Sequence, residues 1–161
     1  MGEQTTSANR SRQNLADESV DLIISNELFC YLDKSGLEMA LRGLYRILKV
    51  GGMMAHGELS PIPENEAQRL LIRANGYSRE SLKPKPKWFS PFSDEVAALM
   101  HRIGFKDIAV KYLETNVKMD YEQAVEFLKD WVNESFIKKY QKQFKRYGVE
   151  FPMEHVIFCK K

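Results

Sequence analysis

Apolar residues follow two different periods along this chain. Residues 20–25 are short, β-branched and apolar on both alternating faces after Asp21, which predicts a parallel strand covered by helices on each side. A second strand is predicted over 53–59. Between the two lies a leucine stripe at helical spacing, Leu37, Leu41, Leu44 and Leu48. Gly51-Gly52 is expected to end this helix. Strand, helix and strand joined by short turns form a βαβ unit with a right-handed crossover, so the predicted fold class is α/β.

Polar residues with the chemistry of helix caps precede the remaining helical patterns. Ser35 and Glu38 have the spacing of a capping box. Ser93 precedes another helix with an apolar face, and Asp120 begins a long amphipathic region with a predicted break near Asn133.

The rest of the chain supplies one more helix, a loop and two strands. Residues 64–75 are predicted to form a helix closed by Gly76, followed by a proline-broken excursion or lid over 78–87. Strands are predicted over 105–112 and 155–159.

Composition indicates one compact domain. The chain has 161 residues, of which 43% are hydrophobic, and this is enough to bury a core. Residues 1–14 are polar without apolar periodicity and are predicted to be a flexible tail, so the single α/β domain is expected to span 15–161. The formal net charge of +2 gives no general electrostatic reason for binding nucleic acid or an anionic membrane.

Cysteines and apolar runs point to a reducing compartment. Cys30 and Cys159 lie far apart, so neither a disulfide framework nor a metal site is predicted. The polar N-terminus is not a signal peptide, and no uncharged apolar run has the length of a membrane span. The expected localisation is cytoplasmic.

Two stretches at fixed separation carry the functional prediction: Asp-Glu-Ser-Val-Asp-Leu-Ile-Ile-Ser-Asn at 17–26, and Leu-Tyr-Arg-Ile-Leu-Lys-Val-Gly-Gly at 44–52. Together they resemble the class I S-adenosylmethionine-dependent methyltransferases, and in particular the type 11-like methyltransferase domain. That family has an acidic Asp-x-Ser-Phe-Asp turn before its fourth strand and an Arg-Val-Leu-Lys-Pro-Gly-Gly run before its fifth. This chain departs from the pattern at Val20 and Val50, which replace Phe and Pro.

The resemblance extends from about Leu15 to Lys161 and implies the C-terminal half of the domain. It implies a partial Rossmann-like sheet, in which a parallel strand-helix-strand unit is followed by an antiparallel strand pair, with helical insertions at 60–92 and 114–153. The family's Gly-x-Gly-x-Gly loop and the acidic residue that ends its second strand have no counterpart before Leu15. In the family, the glycine loop lets the backbone approach the cofactor closely, and the acidic residue accepts hydrogen bonds from the ribose hydroxyls.

The resemblance implies S-adenosylmethionine as the cofactor. Ligands of open α/β sheets sit beyond the carboxyl ends of the strands. The residues implied at that position are Asn14 and Leu15 on the adenine side, and Ser25, Asn26, Glu27 and Leu28. A solvated carboxylate at a helix entrance is the alternative for Glu27.

Other residues are candidates for catalysis or substrate binding. His56 and Glu58 lie two apart on a strand, so they share a face, and a histidine beside a carboxylate could act as a general base. The alternative is a polar pair at a strand end. Trp88 and Phe89, together with Phe92, follow the lid and could close a substrate pocket, or simply anchor a loop.

Two functions therefore remain open, and both involve the strand at 20–25. The first is a methyltransferase whose activity needs a partner or a missing half, with a small-molecule or protein methyl acceptor. The second is a non-catalytic methyltransferase-like subunit that serves as a binding or dimerisation scaffold. An interior-type strand at a sheet edge invites pairing, so a homodimer or complex through the edge near Val20 to Ser25 is expected.

The basic residues of 138–146 follow acidic ones on one helical region, so nucleic acid is not an expected partner.

Overall fold

The computed structural model describes residues 15–81 and 92–161. Its strands are β1 (Val20–Asn26), β2 (Leu48–Leu59), β3 (Lys106–Leu113), β4 (Lys118–Met119), β5 (Val149–Glu150) and β6 (Glu154–Lys160). Its helices are α1 (Lys34–Ile47), α2 (Glu66–Ser81), α3 (Ser93–Ile103), α4 (Tyr121–Leu128) and α5 (Glu134–Tyr147). In the described part of the chain, no helix is long and apolar enough to cross a membrane.

The main sheet has the strand order β1-β2-β6-β3. β1 runs parallel to β2, with Leu22 opposite Met53 and Ser25 opposite His56. β6 runs antiparallel to both β2 and β3. The predicted parallel unit and the C-terminal antiparallel strand pair are therefore confirmed, and the fold is α/β.

One face of this sheet carries the larger core. Helices α1 and α3 pack there, and the cluster contains Phe29, Leu37, Leu41, Leu48, Met54, Val96, Leu99, Met100, Phe105, Ile157 and Cys159. Burying each large apolar side chain contributes about 1.5–3 kcal/mol before conformational entropy is counted. Within the described residues the opposite face is not covered, contrary to the prediction of helices on each side, because Leu22, Ile24 and Met53 remain 53%, 73% and 49% exposed.

A second cluster, here called the cap, consists of α2, α4, α5 and β5. Its core contains Leu70, Leu71, Ala74, Ala124, Leu128, Val132, Phe136, Phe144 and Val149. The segments predicted as separate insertions, 60–92 and 114–153, thus contribute to one apolar core. The short β4–β5 pair that joins this layer was not predicted, because two residues per strand leave no periodic signal.

The two family-like sequence stretches contact each other. Arg46 forms an ion pair with Asp17 and donates to the Leu15 carbonyl at 3.1 Å, and Lys49 Nζ lies 2.8 Å from Asp21. Gly51 has a φ of +78°, and a Cβ on Gly52 would lie 2.9 Å from the Lys49 carbonyl oxygen. Arg46 and Lys49 thus fix the entry to β1, whereas the prediction that Gly51-Gly52 ends the helix was wrong, because α1 ends at Ile47 and both glycines lie within β2.

Several predicted helix boundaries were wrong. Asp33, not Ser35, caps α1, and its carboxylate accepts from the Gly36 N–H at 2.7 Å and from the Ser35 hydroxyl at 2.8 Å. Gly76 does not end α2, which continues to Ser81.

Other predictions about helix ends hold in part. Phe92 is the N-cap residue of α3, while the Ser93 hydroxyl lies 2.8 Å from the Tyr112 hydroxyl. The Asp120 cap of α4 and the break at Asn133 are confirmed.

The corrected cap of α1 can be tested by stability. Asp33→Ala should lower the free energy of unfolding by about 1 kcal/mol, because two donors lose their acceptor, while Ser35→Ala should change it by less than about 0.5 kcal/mol. Urea unfolding followed by circular dichroism measures both. Equal losses in the two variants would contradict this assignment.

Candidate functional site

The candidate site lies where β1 and β2 end. Because these strands are parallel, their carboxyl ends meet at one edge of the sheet. Glu27 follows β1 directly with a φ of +48°, in the left-handed region that costs a non-glycine residue about 1 kcal/mol or more. Its N–H donates to the Gly57 carbonyl at 2.9 Å, and its carboxylate Oε1 accepts from the Leu59 N–H at 2.7 Å. Both bonds fix the Glu27 side chain against β2.

A hydrogen-bonded chain runs beside it through Ser25, His56 and Glu58. The Ser25 hydroxyl lies 2.8 Å from His56 Nδ1, and His56 Nε2 lies 3.0 Å from Glu58 Oε2. Both contacts are satisfied when Nε2 donates to the carboxylate and Nδ1 accepts from the hydroxyl. His56 is 1% exposed and stacks on Phe29, with 3.6 Å between ring centroids. The imidazole is thus held within the protein.

Glu58 is an anchored anion. Burial alone would raise its pKa, but hydrogen bonds from His56 and Cys30 outweigh burial and hold the pKa below its ordinary value of 4.5. Its Oε2 accepts from the N–H groups of Phe29 and Cys30 at 3.2 and 3.4 Å. His155 lies opposite Glu58 on β6, and burial lowers the pKa of this histidine.

Glu27 has the opposite electrostatic environment. Burial and then the negative charge of Glu58 raise the pKa of Glu27 to about 7, and the charge of Glu154 acts in the same direction. The two neighbouring carboxyls therefore differ, since one stays ionised and the other titrates near neutral pH.

A narrow cleft with an open mouth, about 40 Å³ in volume, separates this edge of the sheet from α2. Its polar floor consists of Glu27, Cys30, Glu58, Ser60 and Asn75, and its apolar walls consist of Leu59, Pro61, Leu71, Ile72 and Pro152. A small polar group surrounded by apolar walls is the usual composition of a small-molecule site.

Of the other predicted cofactor residues, Asn26 and Leu28 lie beside this edge, whereas Leu15 precedes the opposite end of β1, where its carbonyl accepts from Arg46. Asn26 donates its amide nitrogen to Glu154 at 2.9 Å and to the Gly57 carbonyl at 3.1 Å. Leu28 and Leu15 are 44% and 42% exposed. Neither Leu28 nor Leu15 lines the cleft.

Three predicted site residues fall elsewhere. Asn14 lies outside the described residues, as do Trp88 and Phe89, the predicted aromatic lid. Their predicted roles stay predictions.

The side chains of Glu27, Cys30 and Glu58 each bring one oxygen or sulfur atom within 4.8 Å of the others. A metal bound through Cys30 would need this residue as a thiolate. The Cys30 thiol instead donates to the Glu27 carbonyl at 3.7 Å, and losing its proton would place a third negative charge beside two carboxyls. We therefore assign these residues to a polar floor.

Sequence reasoning missed the cap side of the cleft. Leu71 and Asn75 lie on α2, distant in sequence from β1 and β2, and only the packing of the cap brings them to the site. Cys30 was not predicted as a site residue, because its sequence position was used only to argue against a disulfide or a zinc site. Its spacing of three residues from Glu27 could have indicated that it lies at the site.

Known proteins share both the motif region and the fold. A family model described as methyltransferase domain matches residues 4–56. A SAM-dependent methyltransferase from Archaeoglobus fulgidus has a TM-score of 0.57 at 18% identity, with 97% of this chain and 66% of that one covered. The chain has the fold of a class I S-adenosylmethionine-dependent methyltransferase domain.

Two further structures show how widely this methyltransferase fold is shared. A cyclopropane-fatty-acyl-phospholipid synthase-like protein from Lactobacillus casei has a TM-score of 0.63 at 10% identity, with 98% of this chain and 61% of that one covered. Phosphoethanolamine N-methyltransferase 2 of Haemonchus contortus, in complex with S-adenosyl-L-methionine, has a TM-score of 0.53 at 13% identity, covering 91% and 34%. The chain thus spans between about a third and two thirds of these proteins. No curated protein matches the sequence.

The opposed pKa shifts predict opposite effects of neutralising the two carboxyls. Glu27 loses its proton at about pH 4.5 in the unfolded state but at about pH 7 in the folded state. The free energy of unfolding therefore falls as the pH rises through this range. Glu27→Gln should therefore raise the urea midpoint at pH 8 and leave it nearly unchanged at pH 4. Its amide can donate to Glu58, as the protonated carboxyl does.

Glu58→Gln is the matched comparison. A lowered pKa means that Glu58 stabilises the fold above pH 4.5, and that this contribution is lost as pH falls through its folded pKa. The variant should lose about 2 kcal/mol at pH 8, since an anion with several donors is replaced by an amide. Urea midpoints that fall equally in both variants at pH 8 would contradict the division of roles.

Proposed function

We propose that this chain takes part in S-adenosylmethionine-dependent methyl transfer, forming the methionine-side wall of the cofactor site and the acceptor cleft. The observation that carries the proposal is the cleft with Glu27 and Glu58 at the carboxyl ends of the parallel strands β1 and β2. In this fold, ligands bind beyond those ends. The complex of Haemonchus contortus phosphoethanolamine N-methyltransferase 2 with S-adenosyl-L-methionine supports the choice of this cofactor.

The residues present fit one end of that cofactor. The segment 25–28 offers a carboxylate at Glu27 and the exposed side chain of Leu28 at the open side of β1. When bound, S-adenosylmethionine supplies an electrophilic methyl group on a sulfonium ion. The task of this chain is to hold the acceptor in line with that methyl group and to exclude water, and position contributes much of the rate in such a transfer.

Glu58 and His56 have different roles in this proposal. Glu58 lines the cleft and can contact the acceptor. His56 is buried between Ser25 and Glu58 and acts through Glu58, as a positioning residue that fixes the carboxylate. A buried hydrogen-bonded support of this kind keeps a reacting group in one geometry.

The ribose and adenine side of the site comes from another polypeptide segment in this proposal. The printed sequence has nine glycines, but none forms a Gly-x-Gly-x-Gly run. Such a loop lets the backbone approach the cofactor closely, so much of the affinity would depend on it. The chain by itself should therefore bind S-adenosylmethionine weakly.

A titration followed by nuclear magnetic resonance tests this proposal. S-adenosylmethionine at millimolar concentration should shift amide resonances of residues 25–28, with a dissociation constant weaker than about 100 μM, or about −5.5 kcal/mol. Leu28→Ala should weaken the response. Leu113→Ala, which removes a similarly exposed leucine (50%) from β3, should leave it unchanged. Absence of shifts up to about 10 mM would sink the cofactor role.

We also propose that the free edge of β1 pairs with another polypeptide. Within the described residues, β1 pairs only with β2, and Leu22, Ile24 and Met53 are exposed on the adjacent sheet face. Unpaired backbone groups beside exposed apolar side chains favour strand addition. In a purified sample the available polypeptide is a second copy of the chain.

Light scattering coupled to size-exclusion chromatography tests the edge. The chain should be a dimer at micromolar concentration, and Ile24→Lys should shift it to a monomer because the new charge would be desolvated by pairing. Met39→Lys is the control, since Met39 is 70% exposed and lies on α1 rather than on a strand. A stable monomer of the unaltered chain would count against the proposal.

A second function is favoured by the same exposed face. A methyltransferase-like subunit could use β1 and its apolar face as a scaffold without catalysing a reaction. Dimer formation without any cofactor-dependent shift at residues 25–28 is the result that separates this function from the first.

A further inference from the structure

The charge of the cleft selects the kind of molecule that it can hold. Among the residues that the structure describes, its lining includes two carboxyls, Glu27 and Glu58, and no lysine or arginine. Glu154 adds negative charge next to Glu27. The nearby His155 has a lowered pKa because of burial, so it supplies no counter-charge at neutral pH. An anionic ligand would meet repulsion from every ionised group at this floor.

The hydrogen-bonding capacity of the floor also favours a donor ligand. Glu27 Oε1 accepts from the Leu59 N–H, while Oε2 lies 4.0 Å from the Cys30 sulfur. Glu58 Oε2 accepts from three donors, and protonated Glu27 also hydrogen-bonds to the Glu58 carboxylate. A group with several N–H donors, such as an ammonium with its three, can replace this shared proton between the two carboxyls.

The walls indicate what such a group would be attached to. Leu59, Leu71 and Ile72 flank the floor, together with Pro61 and Pro152. Apolar walls contribute little to a hydrated metal ion, but they shield the carbon substituent of an organic amine from water. An amine with an apolar substituent satisfies the floor and the walls together.

We propose that this cleft binds a small organic amine as its ammonium ion, with Glu27 as the carboxylate that holds it and accepts its proton. The proposal rests on the function proposed above, because the amine is the methyl acceptor. Glu27 takes one proton from the ammonium, which frees the nitrogen lone pair. That pair forms the new carbon–nitrogen bond as the methyl–sulfur bond breaks, with its electrons remaining on sulfur. The product is a methylated ammonium, and Glu27 then releases its proton to solvent.

The titration of Glu27 gives the binding a characteristic pH dependence. The groups that face this carboxyl are Glu58 on β2, Glu154 on β6 and the Cys30 thiol. Burial and the charge of Glu58 raise the pKa of Glu27 to about 7. Below that pH an ammonium must displace a proton from Glu27, so its affinity should fall by up to about tenfold per pH unit.

Calorimetric titration of the full chain with benzylamine tests the proposal without any cofactor. Benzyl alcohol is the neutral comparison of the same shape. At pH 8 benzylamine should bind at least about tenfold more tightly than the alcohol, and the preference should shrink at pH 6. Glu27→Gln should remove both the preference and its pH dependence, while Glu38→Gln, on the surface of α1, should remove neither.

A second variant and three contrary results complete this test. Ile72→Lys should abolish benzylamine binding, because the new positive charge at the wall would repel the ammonium. This variant keeps the proposal testable if Glu27→Gln fails to fold. Equal affinities for the amine and the alcohol would overturn the proposal, as would amine binding that Glu27→Gln leaves intact. So would binding that a chelator abolishes, since a metal ion would then be the ligand. Because no S-adenosylmethionine is present, failure of the cofactor proposal leaves this result interpretable.

Discussion

The parallel pairing of β1 with β2 is the constraint on which the site depends. It places Ser25 opposite His56 and Asn26 opposite Gly57, so residues distant in sequence end at one edge of the sheet. Side chains alternate along a strand, and a shift of register by one residue would turn His56 and Glu58 to the exposed face. The register is held by the core, where Ile23 and Met54 lie side by side on the buried face. Packing beneath the sheet thus determines the chemistry at its edge.

The cap adds one side of the cleft to this edge without sharing the core of the sheet. Its helices bury their own leucines and phenylalanines, so the cap is stabilised mainly by internal contacts. It reaches the cleft through Leu71, Ile72 and Asn75 on a single helix, α2. Changes at these positions can alter the walls of the cleft while the carboxylates of the sheet stay in place. Division of a site between a fixed floor and a separately packed wall is a common way for one fold to take different substrates.

The sequence predicted what depends on local periodicity and missed what depends on distant packing. The strand at 20–25, the helix after it and the final antiparallel strands follow from apolar patterns, and the structure confirms them. The cap of α1 was wrong because Asp33 and Ser35 have similar cap chemistry, and their geometry decides between them. The His56–Glu58 contact followed from spacing alone. No pattern indicated that Leu71 faces Glu27, or that Glu27 adopts a positive φ, because both result from tertiary contacts.

The environments of the two carboxyls separate their chemistry. In a medium of low polarity, two adjacent negative charges repel strongly, so one carboxyl must be stabilised at the expense of the other. Phe29, Cys30 and His56 direct their donors to Glu58, which therefore remains the permanent anion. Glu27 receives one backbone donor and becomes the group that titrates. A bound cation would offset the repulsion between the two carboxylates, which otherwise raises the pKa of Glu27. Loss of the proton from Glu27 is therefore linked to the entry of a positively charged ligand.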